Sequence, residues 1–123
     1  MPKTILVVDD QKSIRALLAN IFKVAGYDVV EAEDGGKALD LLSSGQKVDL
    51  IITDLNMPVM NGIEFIWEAR KLSSHLFTPI FMLTTETEKS RLSDFESVST
   101  EMWLEKPIQP VVVLNNVTKV LPP

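Results

Sequence analysis

Leu50-Ile51-Ile52-Thr53-Asp54-Leu55-Asn56-Met57-Pro58 is the stretch on which the fold turns. Its first four residues form a continuous, largely β-branched run with no polar alternation. A strand with one wet face alternates; a strand covered on both faces does not, and that pattern belongs to the interior of a parallel sheet. A carboxylate, Asp54, closes the run, and Pro58 marks the turn beyond it.

The same texture recurs on either side. Ile5–Val8, Val29–Val30 in their extended context and Ile80–Leu83 read as strands buried on both faces, and Met102–Glu105 reads as a short fifth strand. Helix-period segments lie between them. Ile14, Leu17, Leu18, Ile21, Phe22 and Ala25 make an amphipathic stripe, with Gly26 as its stop. A second helix is expected over about 36–44, with Ala38, Leu39 and Leu42 inward and Gly45 ending it. A third starts at Asn61, a cap with Glu64 as reciprocal partner, and buries Phe65, Ile66, Ala69 and Leu72. A fourth, over about 87–97, is anchored mainly by Leu92 and Phe95.

The last segment is in conflict with itself. Val111, Val112, Val113, Val117 and Val120 favour strand by propensity. Val113, Leu114, Val117, Val120 and Leu121 nevertheless fit a helical stripe, and Pro110 suits a first helical position, so the pattern predicts helix. Five strand–helix units in succession predict an α/β fold: a (βα)5 doubly wound, five-stranded parallel sheet with helices on both faces.

Composition narrows the function classes. The 123 residues suit one domain spanning 1–123, and no attached output domain is expected. No cysteine is present, which excludes a disulfide scaffold, a thiolate metal site and a thiol nucleophile. The one histidine, His75, cannot form a His-rich metal site and reads as a surface loop residue in Ser73-Ser74-His75. A net charge of −5 disfavours nucleic acid as a partner. No apolar run reaches the length of a membrane span, and no signal peptide fits before the first strand, so a cytoplasmic protein is expected.

In such folds the functional crevice lies at the carboxyl ends of the strands. Asp9-Asp10, Asp54, Thr84-Thr85 and Lys106-Pro107 all fall there. Asp10 alone would pass for a helix cap. Three clustered carboxylates are different: two unit charges about 4 Å apart repel by roughly 4 kcal/mol at an effective dielectric near 20. Either a proton or a cation must relieve them, and an all-oxygen donor set selects a hard ion such as Mg2+. Mg2+ and Lys106 together bring the edge to neutrality, which leaves Asp54 on the central strand as the candidate nucleophile toward a phosphoryl group. Lys106 and the Thr84 hydroxyl would hold the phosphoryl oxygens.

Val7-Val8-Asp9-Asp10, Thr53-Asp54-Leu55-Asn56-Met57-Pro58-Val59-Met60-Asn61-Gly62, Leu83-Thr84 and Lys106-Pro107, in that order over the whole chain, resemble the response-regulator receiver domain with its CheY-like, flavodoxin-like fold, and the single-domain chemotaxis regulators in particular. The resemblance implies a two-component response regulator in which Asp54 is the phosphoacceptor, Thr84 the switch hydroxyl, Lys106 the site cation and Trp103 the switch aromatic. It implies Mg2+ held by Asp10, by Asp9 through water, by Asp54 and by the Asn56 backbone carbonyl, and a cis peptide before Pro107. It implies a phosphohistidine donor on a sensor histidine kinase or phosphotransfer protein, followed by self-dephosphorylation. The chain would then be no enzyme toward a separate substrate.

Asn56 and Glu86 occupy the positions that tune phosphoryl lifetime in that family, and they predict a short one. Thr85, where a small residue is usual, would crowd the site and slow hydrolysis. Ser99-Thr100 replaces a usual Gly-Ala turn, and Trp103 is larger than the usual Tyr or Phe. Met102, Trp103, Val111 and Val112 would leave an apolar face on the fourth helix, fifth strand and last helix, the expected contact for an output protein. Trp67 falls off the third helix's stripe and is expected to be partly buried, and Met57 is expected to pack under its turn.

Three rival readings are kept. One is a fragment of a larger regulator. Another is a haloacid-dehalogenase-type phosphatase, which would want a second Asp where Asn56 stands. The last is an FMN binder, whose phosphate Asp9-Asp10 would repel.

Overall fold

A computed structural model describes residues 2–85 and 102–123. The expected helix over 87–97, the lifetime residue Glu86 and the Ser99-Thr100 turn lie outside the described residues.

The described elements alternate as expected: β1 (Thr4–Val8), α1 (Lys12–Val24), β2 (Asp28–Ala32), α2 (Gly35–Ser43), β3 (Leu50–Asp54), α3 (Gly62–Arg70), β4 (Ile80–Thr84), β5 (Met102–Glu105) and a C-terminal helix (Pro110–Val120). The sheet is parallel throughout, in the order β2-β1-β3-β4-β5. This is the flavodoxin-like α/β fold. The chain turns back across the sheet between β1 and β3, so the crevice that such topologies reserve for ligands opens between the ends of these two strands.

The strands β1, β3 and β4 are buried along their whole length, which is why they read as unbroken apolar runs. Their side chains divide by parity. Leu6, Val8, Ile51, Ile80 and Met82 join Ala38 and Leu42 of α2 and Ile63, Phe65, Ile66 and Ala69 of α3. Ile5, Val7, Leu50, Ile52, Phe81 and Leu83 join Leu18 and Phe22 of α1 and Val113 and Val117 of the C-terminal helix. Tyr27 closes the second layer: its ring meets Phe22 edge-on, and its hydroxyl donates to the Leu121 carbonyl at the end of the C-terminal helix.

The caps are as chemically local as the sequence suggests. Asn61 and Glu64 form a reciprocal capping box, with Glu64 N donating to Asn61 Oδ1 at 2.9 Å and Asn61 N to Glu64 Oε1 at 3.2 Å. Pro110 opens the C-terminal helix, so the pattern of that segment prevails over its valine propensity. Gly26 and Gly45 follow α1 and α2 with φ of 101° and 92°, a backbone that side-chain-bearing residues resist.

Three sequence expectations are corrected. β2 is an edge strand, so Val29 and Val30 are half-buried rather than covered on both faces. Leu17 sits at the margin of the α1 stripe and is exposed. His75 is not a surface residue: it is 5% exposed, in a 3-10 turn (Ser73–His75). Arg70 of α3 draws that turn inward, its Nη1 donating to the carbonyls of His75 at 2.9 Å and Thr78 at 2.7 Å. The His75 ring then packs inside with Nδ1 2.9 Å from Thr78 Oγ1.

Candidate functional site

The sheet register assembles the site. Val8 pairs with Thr53, so the residue following each, Asp9 and Asp54, emerges on the two sides of the crevice. Asp54 in turn pairs with Leu83, next to Thr84, and Thr84 pairs with Glu105, next to Lys106. Backbone bonds continue the ladder past the strand ends: Asp9 N to Ala32 O (3.2 Å), Leu55 N to Leu83 O (3.1 Å) and Lys106 N to Thr84 O (2.8 Å). The functional groups therefore hang from the most rigid part of the molecule.

Carboxylate oxygens of Asp9, Asp10 and Asp54 lie within 4.8 Å of one another. Asp9 is fully buried and Asp54 nearly so, whereas Asp10 faces solvent. Lys106 reaches over from the β5 end, its Nζ 3.0 Å from Asp54 Oδ1 and 3.5 Å from Asp9 Oδ2. Asp9 Oδ1 accepts from the Gln11 amide at 2.9 Å. Asp9 Oδ2 is buried and, among the described residues, makes no hydrogen bond.

The electrostatics follow from this packing. Burial pushes the Asp9 carboxyl above its ordinary range; the Gln11 amide and the Lys106 charge oppose that push, and the Asp10 charge adds to it. For Lys106, burial works downward, but the hydrogen bond and charge of Asp54, then the charge of Asp9, outweigh it and hold the ammonium above the ordinary lysine value. A buried carboxylate oxygen left without a hydrogen bond is costly, on the order of 1–3 kcal/mol. An all-oxygen, hard donor set around that oxygen fits Mg2+.

The remaining predicted positions fall around this centre. Thr84 is fully buried, and its Oγ1 lies 3.2 Å from the Thr85 carbonyl as donor. Asn56 is exposed in the loop after β3, with Met57 tucked beneath at 7% exposure, as expected. Trp103 is half-buried and packs against the core layer that contains Met82, its partner in register. The Lys106-Pro107 bond is cis. Val111 and Val112 stand exposed on the C-terminal helix, and Trp67 is half-exposed on α3.

Two contributors escaped the sequence reading. Gly62 opens α3 directly against β3: a Cβ there would lie 2.5 Å from the Asp54 carbonyl oxygen and 2.9 Å from Met82 Sδ. Arg15 of α1 donates Nη1 to the Asp9 carbonyl at 2.7 Å, with its Nε 3.6 Å from Glu31 Oε1 on β2. A cation one turn into a helix that follows an acid pair is the signal that would have found it.

The comparisons with known proteins agree with this geometry. The family description "Response regulator receiver domain" matches residues 5–118. The chain is 36% identical to a "Chemotaxis protein CheY homolog" of Campylobacter jejuni, over 95% of this chain and 91% of that protein. It is 33% identical to "Two-component response regulator ORR11" of rice, Oryza sativa, over 98% of this chain and 82% of that protein. Among solved structures it resembles the Vibrio cholerae chemotaxis protein CheY4 with a TM-score of 0.89 and 40% identity, covering 98% of this chain and all of that one. On its site, its sheet order and these likenesses, the chain belongs to the response-regulator receiver family.

Proposed function

We propose that this chain is a phosphorylation-controlled protein-interaction switch in which Asp54 accepts a phosphoryl group from a phosphohistidine of a sensor kinase or phosphotransfer protein. The observation that carries the reading is the Lys106 ammonium 3.0 Å from Asp54 Oδ1, beside two further carboxylates gathered within 4.8 Å. A structural edge gains nothing from three like charges; a site that receives a dianion needs both the anionic acceptor and its compensating cations.

In the transfer, an Asp54 carboxylate oxygen forms the new P–O bond as the donor's P–N bond breaks, and the departing imidazole takes a proton from solvent. Asp9, Asp10, Asp54 and the Asn56 carbonyl are the groups that would hold Mg2+, which when bound supplies the charge that lets a carboxylate and a phosphoryl dianion approach. Lys106 neutralises a phosphoryl oxygen from the β5 side. The Thr84 hydroxyl, released from its local bond, donates to another. Movement of Thr84 leaves space toward Trp103, and through it phosphorylation reshapes the face of the fifth strand and C-terminal helix that carries Val111 and Val112, where an output protein docks. Hydrolysis of the acyl phosphate resets the switch, so the chain modifies itself rather than a separate substrate.

The test is treatment with acetyl phosphate and Mg2+, read by intact mass, with fluorescence of Trp103 followed in a Trp67→Phe background. Wild type gains one phosphoryl group and Asp54→Asn gains none. No gain in wild type, or an equal gain in Asp54→Asn, overturns the reading. Asn56 and Glu86 favour rapid loss of the group while the Thr85 side chain opposes it, and the expected balance is a short lifetime. Decay measured after donor removal checks this; persistence for many hours would defeat it.

A further inference from the structure

We infer that Arg15 is a positioning residue for the acidic cluster: it fixes the peptide unit between Asp9 and Asp10, and thereby sets the site's affinity for a divalent cation. The inference rests on the metal-holding role proposed above and adds a residue to it. The Asp9 carbonyl belongs to the peptide that joins the buried acid to the exposed one, so its orientation determines how the two carboxylates are disposed. That peptide has no strand partner for its carbonyl, because β1 ends at Val8. Arg15 Nη1 takes the place of one, donating at 2.7 Å.

The other atoms of Asp9 are also held: its N donates to Ala32 O at 3.2 Å, and its Oδ1 accepts from Gln11 N. Oδ2 makes no hydrogen bond among the described residues and has the Lys106 ammonium 3.5 Å away. Arg15 is itself braced. Its side chain is 15% exposed, and its Nε faces Glu31 Oε1 at 3.6 Å on the neighbouring strand. A planar guanidinium can serve a carbonyl and a carboxylate at once; an ammonium on a flexible stem cannot hold both in one geometry.

The charge of Arg15 and its positioning act in opposite directions. Near an acidic cluster a fixed positive charge repels an incoming cation, so on electrostatics alone its removal tightens Mg2+ binding. Loss of a residue that orients metal ligands weakens binding instead, commonly by ten-fold or more. The experiment is calorimetric titration of Mg2+ into the unphosphorylated full chain, with thermal unfolding recorded to confirm that each variant is folded. Arg15→Met is expected to weaken Mg2+ binding roughly ten-fold. Arg15→Lys, which keeps the charge and is the milder change for folding, is expected to bind more weakly than wild type as well. Glu31→Gln is expected to weaken binding in wild type and to have no further effect in Arg15→Met.

Unchanged or tighter binding in Arg15→Met, or wild-type affinity in Arg15→Lys, overturns the inference. An equal effect of Glu31→Gln with and without Arg15 overturns the bracing of Arg15 by Glu31. Absence of Mg2+ binding by wild type would instead overturn the proposed metal-holding role, so the two failures are distinguishable.

Discussion

Lys106 Nζ lies 3.0 Å from Asp54 Oδ1, an ion pair formed across three strands by residues 52 positions apart. The side chains are 19% and 6% exposed, so solvent screens the pair only partly. Lys106 is thus a fixed cation in direct contact with the proposed acceptor. Lys106→Met is expected to slow phosphoryl acceptance from acetyl phosphate by about 100- to 1,000-fold, the scale for losing one preorganised electrostatic partner. Initial rates of mass gain check this; a rate within two-fold of wild type, roughly 0.4 kcal/mol of barrier, contradicts it.

Asp9 stands at odds with stability. It is a fully buried carboxylate near two other acids, with one oxygen lacking a hydrogen bond and compensated, among the described residues, only by the Lys106 ammonium 3.5 Å away. Asp9→Asn is expected to raise metal-free stability by about 1–2 kcal/mol and to abolish stabilisation by added Mg2+. The pH dependence has a definite sign. The folded-state pKa is raised above 3.8, so the folded chain holds this proton more tightly than the unfolded one. Metal-free stability from this group therefore falls as pH rises through the raised value, and Asp9→Asn removes that fall. Urea unfolding with and without Mg2+, over a pH series, measures both effects.

Gly62 is fixed by contact rather than by helix preference. Alanine in a helix would ordinarily gain about 1 kcal/mol over glycine. Here the added carbon would meet the Asp54 carbonyl oxygen at 2.5 Å and the Leu55 Cα at 3.0 Å, and backbone cannot swing aside. The clash outweighs the gain, and Gly62→Ala is expected to lose about 1–2 kcal/mol net. Denaturant midpoints decide it; a stabilised variant would show that α3 can withdraw from β3 without cost.

Val59 carries backbone strain in the loop after β3. Its φ is 69°, a left-handed conformation that a β-branched residue resists, and the residue is 86% exposed. Val59→Asn is expected to stabilise the fold by about 1 kcal/mol, because asparagine tolerates this region. Thermal unfolding checks it, and a loss of stability would mean that the valine side chain has an energetic role beyond its backbone.

His75 makes stability depend on mild acid. Burial, reinforced by the Arg70 charge, lowers its pKa below the ordinary 6.5, so the folded state favours the neutral ring. Its contribution is complete above about 6.5 and declines as pH falls from there toward the depressed folded value. The groups facing it are Arg70 and the Thr78 hydroxyl. His75→Gln is expected to flatten that part of the pH profile, measured as the difference in unfolding free energy between wild type and variant from pH 5 to 8.

The central strands and the acids at their ends were legible because both depend on local chemistry. A strand covered on two faces must be apolar along its length, as in Leu50–Thr53, and a capping box such as Asn61 with Glu64 is written within four residues. What escaped depends on partners distant in the chain. His75 looked like loop because Ser73 and Ser74 are polar; its burial comes from Arg70 and the fold of the 3-10 turn. Arg15 lies outside the apolar stripe of α1, and its bond runs to the Asp9 carbonyl that β1 leaves behind. Edge placement of β2 is a property of strand order, which Val29 and Val30 do not encode.

The parallel register has a consequence for how such a chain is made. The proposed acceptor is residue 54, and its ammonium partner is supplied by residue 106, on the far side of β4 and β5 in the chain. A nascent chain emerging from the ribosome carries the acceptor long before it carries that partner. The proposed responsiveness therefore arrives only once β5 has joined the sheet, and a copy that stops short of residue 106, or misfolds, stays mute.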